Sequence, residues 1–191
     1  MGTRNLTIVI NNGKTKVAQY GQWDGYPDGQ GRIVLKFLKH CNFQEFKERL
    51  EHVSFLTSKE LRKIFTECSS GKRGKHIDSY VFESKYPELS RSTGAGVLQL
   101  IYDKKAFKLW DRKEFANNSL FCEWAYVIDL DKEQFEVYQG FNKKPLTSHD
   151  RFYNNGYKNN KYYPIKIAKS YSLKKLPEVR KFCSDFAPYK Y

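Results

Sequence analysis

The chain has 191 residues, a formal net charge of +13 and a hydrophobic fraction of 40%, which together describe a basic protein with enough apolar side chains for a core. Its 14 Phe, 14 Tyr and 3 Trp exclude an intrinsically disordered chain, and no apolar run is long enough to cross a membrane. The length predicts one domain over residues 1–191. The first residues lack the apolar stretch of a signal peptide, so we expect a cytoplasmic location.

Two β-hairpins are predicted, one in each half of the chain. Residues 5–10 and 15–20 are rich in β-branched side chains and flank an Asn-Gly turn, the strongest short hairpin signal. Residues 123–130 and 135–141 flank a second polar turn, and residues 163–171 alternate as a further strand.

Helical spacing fills most of the middle of the chain. Apolar residues recur with helical periodicity from residue 33, over 43–53 and 58–68, over 77–86 and after residue 96, and a short helix is predicted over 177–186. Thr57 or Ser58 can cap the third of these helices. The order of elements predicts an α+β fold, with an antiparallel sheet built from the N-terminal and C-terminal hairpins and a helical middle region.

Two polar, glycine-containing segments lead into helices, and they are the candidate ligand site. The loop over 21–31 runs into the first helix, and the segment over 90–96 runs into a later one. Free backbone N–H groups at such a junction can hold an anion, aided in the second segment by Arg91, Ser92 and Thr93. A plain helix cap explains the second segment as well, and the first contains no recognised phosphate-binding motif.

The positive charge is concentrated towards the C-terminus. Residues 151–191 carry ten Lys and Arg against two acidic residues, a net charge of +8. Tyrosines are interleaved with these cations, at Tyr153, Tyr157, Tyr162, Tyr163 and Tyr171. Aromatic faces beside cations suit nucleic-acid or nucleotide binding, whereas a solvated Lys-rich strand and helix is the plainer interpretation.

Other residue types give little sign of chemistry. The four cysteines form no C-x-x-C pair, so reduced thiols are expected, and we predict no metal and no cofactor. Two aspartate pairs, at residues 24 and 28 and at 129 and 131, suit turn hydrogen bonding better than carboxylate catalysis or cation binding. The four histidines have no Ser or Cys beside them in a catalytic motif.

Four blocks of the sequence carry a family resemblance: GTRNL over 2–6, YGQWDGYPDGQG over 20–31, the segment 89–98, and EWAYVIDLD over 123–131. Together they resemble a family of small, largely uncharacterised proteins of bacteriophages and bacteria, with more distant fungal relatives that carry a GTRG-type start and a WDSYP-type loop. The resemblance implies a shared domain and a phage source. It brings no reaction and no site residues with it.

The opening hairpin also resembles that of the N-terminal-nucleophile hydrolases, whose chains begin with a catalytic Thr, Ser or Cys. These enzymes use the free α-amino group of the nucleophile as the base, so the nucleophile must be the first residue of the mature chain. Removal of Met1 leaves Gly2 first and Thr3 inside the chain. An amidohydrolase of this type therefore requires processing that also removes Gly2.

These patterns favour a binding protein that needs affinity and no catalysis. In this hypothesis Arg4 and Arg91 pair with an anionic ligand such as a nucleotide signal, Trp23 or Tyr26 stacks on a flat ring, and Asp24 orders the loop or accepts from the ligand. A phage protein of this kind inhibits or redirects a host defence system, by sequestering the signal or by docking on a host protein. The alternatives are a nucleic-acid-binding protein that uses the basic C-terminal region, and the N-terminal-nucleophile amidohydrolase.

Overall fold

A computed structural model describes residues 2–70, 76–153 and 161–187 of the chain. The strands are β1 Asn5–Asn11, β2 Lys14–Gly21, β3 Ser54–Phe55, β4 Ser69–Ser70, β5 His76–Ile77, β6 Lys108–Leu109, β7 Trp124–Asp129, β8 Gln134–Gln139 and β9 Lys166–Ser172. The α-helices are α1 Arg32–His40, α2 Phe43–Glu51, α3 Ser58–Glu67, α4 Ser79–Lys85, α5 Val97–Tyr102 and α6 Val179–Asp185.

The main sheet has five strands in the order β2-β1-β7-β8-β9. The two predicted hairpins are confirmed as β1–β2 and β7–β8, and β9 joins as an antiparallel edge strand. The α+β class is therefore confirmed. The sheet is mixed rather than wholly antiparallel, because β1 pairs with β7 in parallel. The helical middle of the chain makes this possible, since it is long enough to act as the crossover that a parallel pair requires.

One face of the sheet packs against helices. Side chains such as Val9, Tyr126 and Phe135 are fully buried on this face, and they belong to the same cluster as the apolar residues of α1, α2, α5 and α6. In α1 the buried residues are Val34, Leu35, Phe37 and Leu38, whereas Ile33, at which the predicted periodicity begins, is 41% exposed. This layer is the main core of the protein.

The opposite face is covered by irregular chain. Leu6, Ile8 and Val127 form a smaller cluster with Ala116, Phe152 and Ile165, which come from connecting segments. At one end of this face Arg151 forms an ion pair with both Asp129 and Glu136. Arg151 therefore belongs to a partly buried ion cluster and adds nothing to the basic surface that its sequence position suggested.

Helices α3 and α4 lie outside the main core, and neither has a fully buried side chain. Thr57 caps α3 as predicted, and α4 begins two residues later than predicted because Asp78 accepts hydrogen bonds from the Tyr80 and Val81 backbone amides. The second candidate segment forms a 3₁₀ turn over Gly94–Gly96 before α5 begins. The sequence SSGKRGK over 69–75 is typical of an exposed basic loop, and its residues 71–75 lie outside the described ones. No helix in the described ranges is long and apolar enough to cross a membrane.

Candidate anion-binding pocket

A cavity of about 340 Å³ opens where the end of β2 meets α3, α4 and the segment after β6. This volume lies at the small end of the range typical of ligand pockets. Its walls combine apolar and aromatic side chains with polar and charged ones. The lining residues are Gln19, Tyr20, Gln22, Phe65, Ile77, Ser79, Phe82, Glu83, Leu89, Arg91, Trp110 and Arg112.

Aromatic rings contributed by three separate segments meet in the walls. The Phe65 ring on α3 lies 5.9 Å from that of Phe82 on α4 and 5.3 Å from that of Trp110, centroid to centroid. The Phe65 and Trp110 rings meet edge to face at an interplanar angle of 64°, and the Phe65 and Phe82 rings are tilted by 39°. The pocket therefore has an aromatic surface against which a planar group can lie.

Arg112 is the most unusual group in the pocket. Its guanidinium carbon lies 4.2 Å from the centroid of the Trp110 ring and 5.3 Å from that of Tyr20. Burial lowers the pKa of Arg112, and Tyr20 partly offsets this effect. No carboxylate of the described residues forms an ion pair with Arg112. A partly buried guanidinium held by ring faces alone is prepared to receive an anion.

Further arginines add to the positive potential of this region. Burial raises the pKa of Tyr20, whereas Arg4, Arg112 and Arg91 act on the hydroxyl in the opposite sense. The Tyr20 hydroxyl donates to Oε1 of Gln22, and the Gln22 backbone amide donates to the Arg91 carbonyl at 2.9 Å. The hydrogen bonds thus connect the end of β2 to the segment that carries Arg91. The positive charges of three arginines therefore act on the Tyr20 hydroxyl.

Glu83 is the carboxylate among the lining residues. Its Oε1 atom accepts a hydrogen bond from the Ser92 hydroxyl at 3.1 Å, so Ser92 contacts the lining without belonging to it. The Thr93 hydroxyl donates to the Pro87 carbonyl, so it is engaged by the backbone of the preceding segment. Of the predicted ligand residues, Arg91 is the one that lines this cavity.

The other predicted ligand residues lie elsewhere. Arg4 forms an ion pair with Glu123 at 3.4 Å, and its guanidinium lies over the Phe121 ring at 4.7 Å. Trp23 is 49% exposed and Tyr26 packs against the main core. Asp24 has a φ of 54°, and its backbone carbonyl accepts from the Gln30 amide. None of the four is among the residues that line the cavity.

The glycine-rich loop itself is joined closely to the rest of the fold. A Cβ atom on Gly29 would lie 2.2 Å from the Asp24 carbonyl, and one on Gly31 would lie 2.7 Å from the Tyr126 ring. The Gln30 side chain accepts from the Ala95 amide at 2.7 Å, and the Tyr126 hydroxyl donates to the Gly25 carbonyl at 2.7 Å. Close packing against the rest of the fold therefore explains why this loop is rich in glycine.

Sequence reasoning missed most of the pocket, including Phe65, Phe82, Trp110 and Arg112. One local signal was present, because Trp110 and Arg112 are two residues apart. In an extended segment this spacing puts two side chains on the same side. The remaining walls come from segments far apart along the chain and have no common sequence pattern.

The remaining candidate residues are aspartates, possible metal ligands and cysteines. Asp129 accepts from the Asp131 and Lys132 amides, which is the local hydrogen bonding predicted for a turn, whereas Asp131 accepts from the Asn12 and Gly13 amides in the turn of the first hairpin. In the described ranges, no three His, Cys, Asp or Glu side chains are grouped so as to hold a metal ion. The four cysteines form no disulfide.

Thr3 lies just before β1 and is 8% exposed, and its carbonyl accepts from the Gly25 amide at 2.9 Å. Gly2 precedes it so close to the Trp23 ring that a Cβ atom there would lie 2.3 Å from a ring carbon. The amidohydrolase hypothesis remains a prediction about processing. An intact mass that begins at Thr3 is the observation it requires.

Comparison of the chain with protein-family models, curated proteins and solved structures gives no match.

Proposed function

We propose that the protein binds a small anionic ligand with a planar ring, of the nucleotide class, in the pocket lined by Arg91, Trp110 and Arg112. The observation that carries this proposal is the Arg112 guanidinium, which is partly buried between rings and has no carboxylate partner in the described structure. Removing a cation from water without a counter-charge is costly, and a bound anion offsets that cost.

Both parts of such a ligand have counterparts in the lining. Phosphate oxygens match the planar donor geometry of guanidinium, and Arg112 and Arg91 supply two such groups. The rings of Phe65, Phe82 and Trp110 supply faces and edges for a base. Gln22, Ser79 and Glu83 supply polar atoms for the edge of that base.

The proposed role is sequestration without catalysis. A phage-encoded protein that holds a nucleotide signal inhibits or redirects the host defence system that depends on that signal. The family resemblance supports the phage source, and the pocket supports the ligand class. Docking on a host protein is the other route to the same effect.

The test is calorimetric titration with a panel of mononucleotides and cyclic dinucleotides, preceded by native mass spectrometry of protein purified from cells. We expect one ligand class to bind, and Arg112→Met to weaken its binding about 10- to 100-fold, since charge-assisted hydrogen bonds are lost. Arg62→Met is the matched control, because it removes the same charge from an exposed position on α3. Absence of binding to the whole panel, or equal losses in the two variants, would refute the pocket.

A further inference from the structure

Cations of the C-terminal region and of the segment just before it differ in whether a carboxylate compensates them. Lys169 and Lys181 both contact the Asp185 carboxylate, and Lys174 contacts Glu133. Their charges are compensated locally. Lys143, Lys144 and Lys166 form no ion pair with any carboxylate of the described residues. These three lysines place uncompensated charge at the outer end of the β8–β9 pair, and Lys161, Lys175 and Arg180 also lack an ion pair within the described residues.

These three lysines surround a shallow cavity of about 410 Å³ formed by residues 139–144 and 166–168. Phe141 in its lining is 49% exposed, and its ring centroid lies 6.2 Å from that of Tyr162. The Lys143 ammonium lies 5.8 Å from the Tyr162 ring centroid. Aromatic faces and free cations thus occupy one surface, remote in the chain from the Arg112 pocket.

The backbone holds the Phe141 ring outward. Phe141 has a φ of 54°, which is uncommon for a bulky residue, and its amide donates to the Ser119 carbonyl at 2.7 Å. Gly140 is required before it, because a Cβ atom there would lie 2.2 Å from the Cys122 carbonyl. The Tyr163 amide donates to the Asn142 carbonyl at 2.8 Å, which joins the two segments. The surface is therefore ordered before any partner arrives.

Two carboxylates close to this surface are engaged by other groups. Hydrogen bonds from the Thr147 amide at 2.7 Å and the Thr147 hydroxyl at 3.0 Å lower the pKa of Asp150, and the charge of Lys166 acts in the same sense. Glu123, whose carbonyl accepts from the Gly140 amide, has its side chain paired with Arg4. Because these carboxylates are engaged by other groups, the surface has a net positive charge.

We infer that the surface of Phe141, Tyr162, Lys143, Lys144 and Lys166 binds single-stranded nucleic acid. Exposed rings stack on unpaired bases, and lysines without carboxylate partners replace the counterions of the phosphates. A base-paired duplex offers no free base faces to these rings. This function is independent of ligand binding in the Arg112 pocket.

The experiment is fluorescence anisotropy with a labelled oligothymidylate of about 15 nucleotides, titrated at several salt concentrations. We expect binding that weakens with salt, and an approximately 10-fold loss for Phe141→Ser. The double variant Lys144→Ala/Lys166→Ala should reduce the salt slope by about 1.4, since each single-strand phosphate contact contributes about 0.7. The matched control is Lys174→Ala/Lys181→Ala, which removes two compensated charges and should change the affinity little.

Three outcomes would overturn the inference: no binding at low salt, equal affinity for duplex DNA, or equal losses in the two double variants. Stronger binding to polyglutamate than to the oligonucleotide would assign the surface to an acidic protein partner and would also overturn it. Arg112→Met should leave oligonucleotide binding unchanged. Failure of this proposal is thereby distinguished from failure of the pocket.

Discussion

Arg151 brings a positive charge to the sheet face that the helices leave uncovered. Its Nη2 atom lies 2.7 Å from Asp129 and 2.8 Å from Glu136, and the Tyr138 hydroxyl donates to Glu136 at 2.8 Å. Asp129 has a side chain that is 3% exposed. Burial opposes its ionisation, yet hydrogen bonds from the Lys132 amide and from Arg151 keep its pKa below the ordinary value. The guanidinium therefore makes two largely buried carboxylates tolerable.

Arg151→Met should lower the free energy of unfolding by about 3 kcal/mol, because it leaves Asp129 and Glu136 buried without a counter-charge. Urea unfolding measures this loss. Lys174→Met is the control: it breaks an exposed ion pair with Glu133 and should cost less than about 1 kcal/mol. Equal stabilities of the two variants would mean that water already solvates the carboxylates around Arg151.

Residues of the pocket show what a sequence can and cannot reveal at this scale. Arg91 could be predicted because it belongs to a glycine-containing segment before a helix, which is a local signal. Arg112 has no such signal, because its importance depends on ring faces from β2 and from residue 110 and on its lack of an ion pair with any carboxylate of the described residues. Arg4 suggested a ligand contact, but Glu123, a residue distant in the sequence, neutralises it.

At the scale of elements, α3 depends on its first turn for local order. Thr57 and Glu60 form a reciprocal capping box, and no side chain of α3 is fully buried. Hydrogen bonds from the Thr57 amide and hydroxyl lower the pKa of Glu60 to about 2. The helix carries Phe65 into the wall of the pocket. Local order at the cap and the shape of the pocket are thus connected.

Thr57→Ala should destabilise the protein by about 1 kcal/mol, since the first turn loses its cap. In the Thr57 variant, amide hydrogen exchange should speed up more in α3 than in α1. The control is Thr66→Ala on the same helix, where the hydroxyl donates only to the Arg62 carbonyl and no cap is involved. Unchanged exchange in α3 of the Thr57 variant would contradict the role of the cap.

Elements with strong local signals were predictable. The Asn-Gly turn and the flanking β-branched residues define the first hairpin, and helical spacing defines α1. The parallel pairing of β1 with β7 was not predictable, because nothing in either strand specifies the direction of a distant partner. The start of α4 differed because the Asp78 cap outweighed the apolar spacing that begins at Ile77.

At the scale of the whole molecule, the ionised carboxylates couple stability to pH. Burial opposes the ionisation of Asp185, but hydrogen bonds from Lys169, Lys181 and Tyr171 lower its pKa to about 2, and the pKa of Asp129 is also lowered. A lowered pKa in the folded state means that the unfolded chain binds protons first as the pH falls. The stabilisation is therefore present above about pH 4 and is lost towards pH 2.

We expect the melting temperature to fall between about pH 5 and pH 2, with Asp185→Asn showing a smaller fall than the unaltered protein. The variant should also be less stable at neutral pH, because it loses the ionised partner of two lysines. Thermal unfolding followed by circular dichroism over this range measures both effects. Parallel curves for the two proteins would exclude Asp185 as a source of the acid dependence.

The position of β1 within the sheet has a consequence for synthesis on the ribosome. Once β2 has paired with one edge of β1, the other edge of β1 has no partner until residues 22–123 have been synthesised and β7, which begins at Trp124, follows. At ordinary rates of translation this interval is on the order of 10 s. During it, Leu6, Ile8 and Val9 form part of an open strand edge, the kind of surface on which nascent chains aggregate. The yield of this protein in a cell should therefore depend on how quickly its middle is translated and on chaperones that cover the edge.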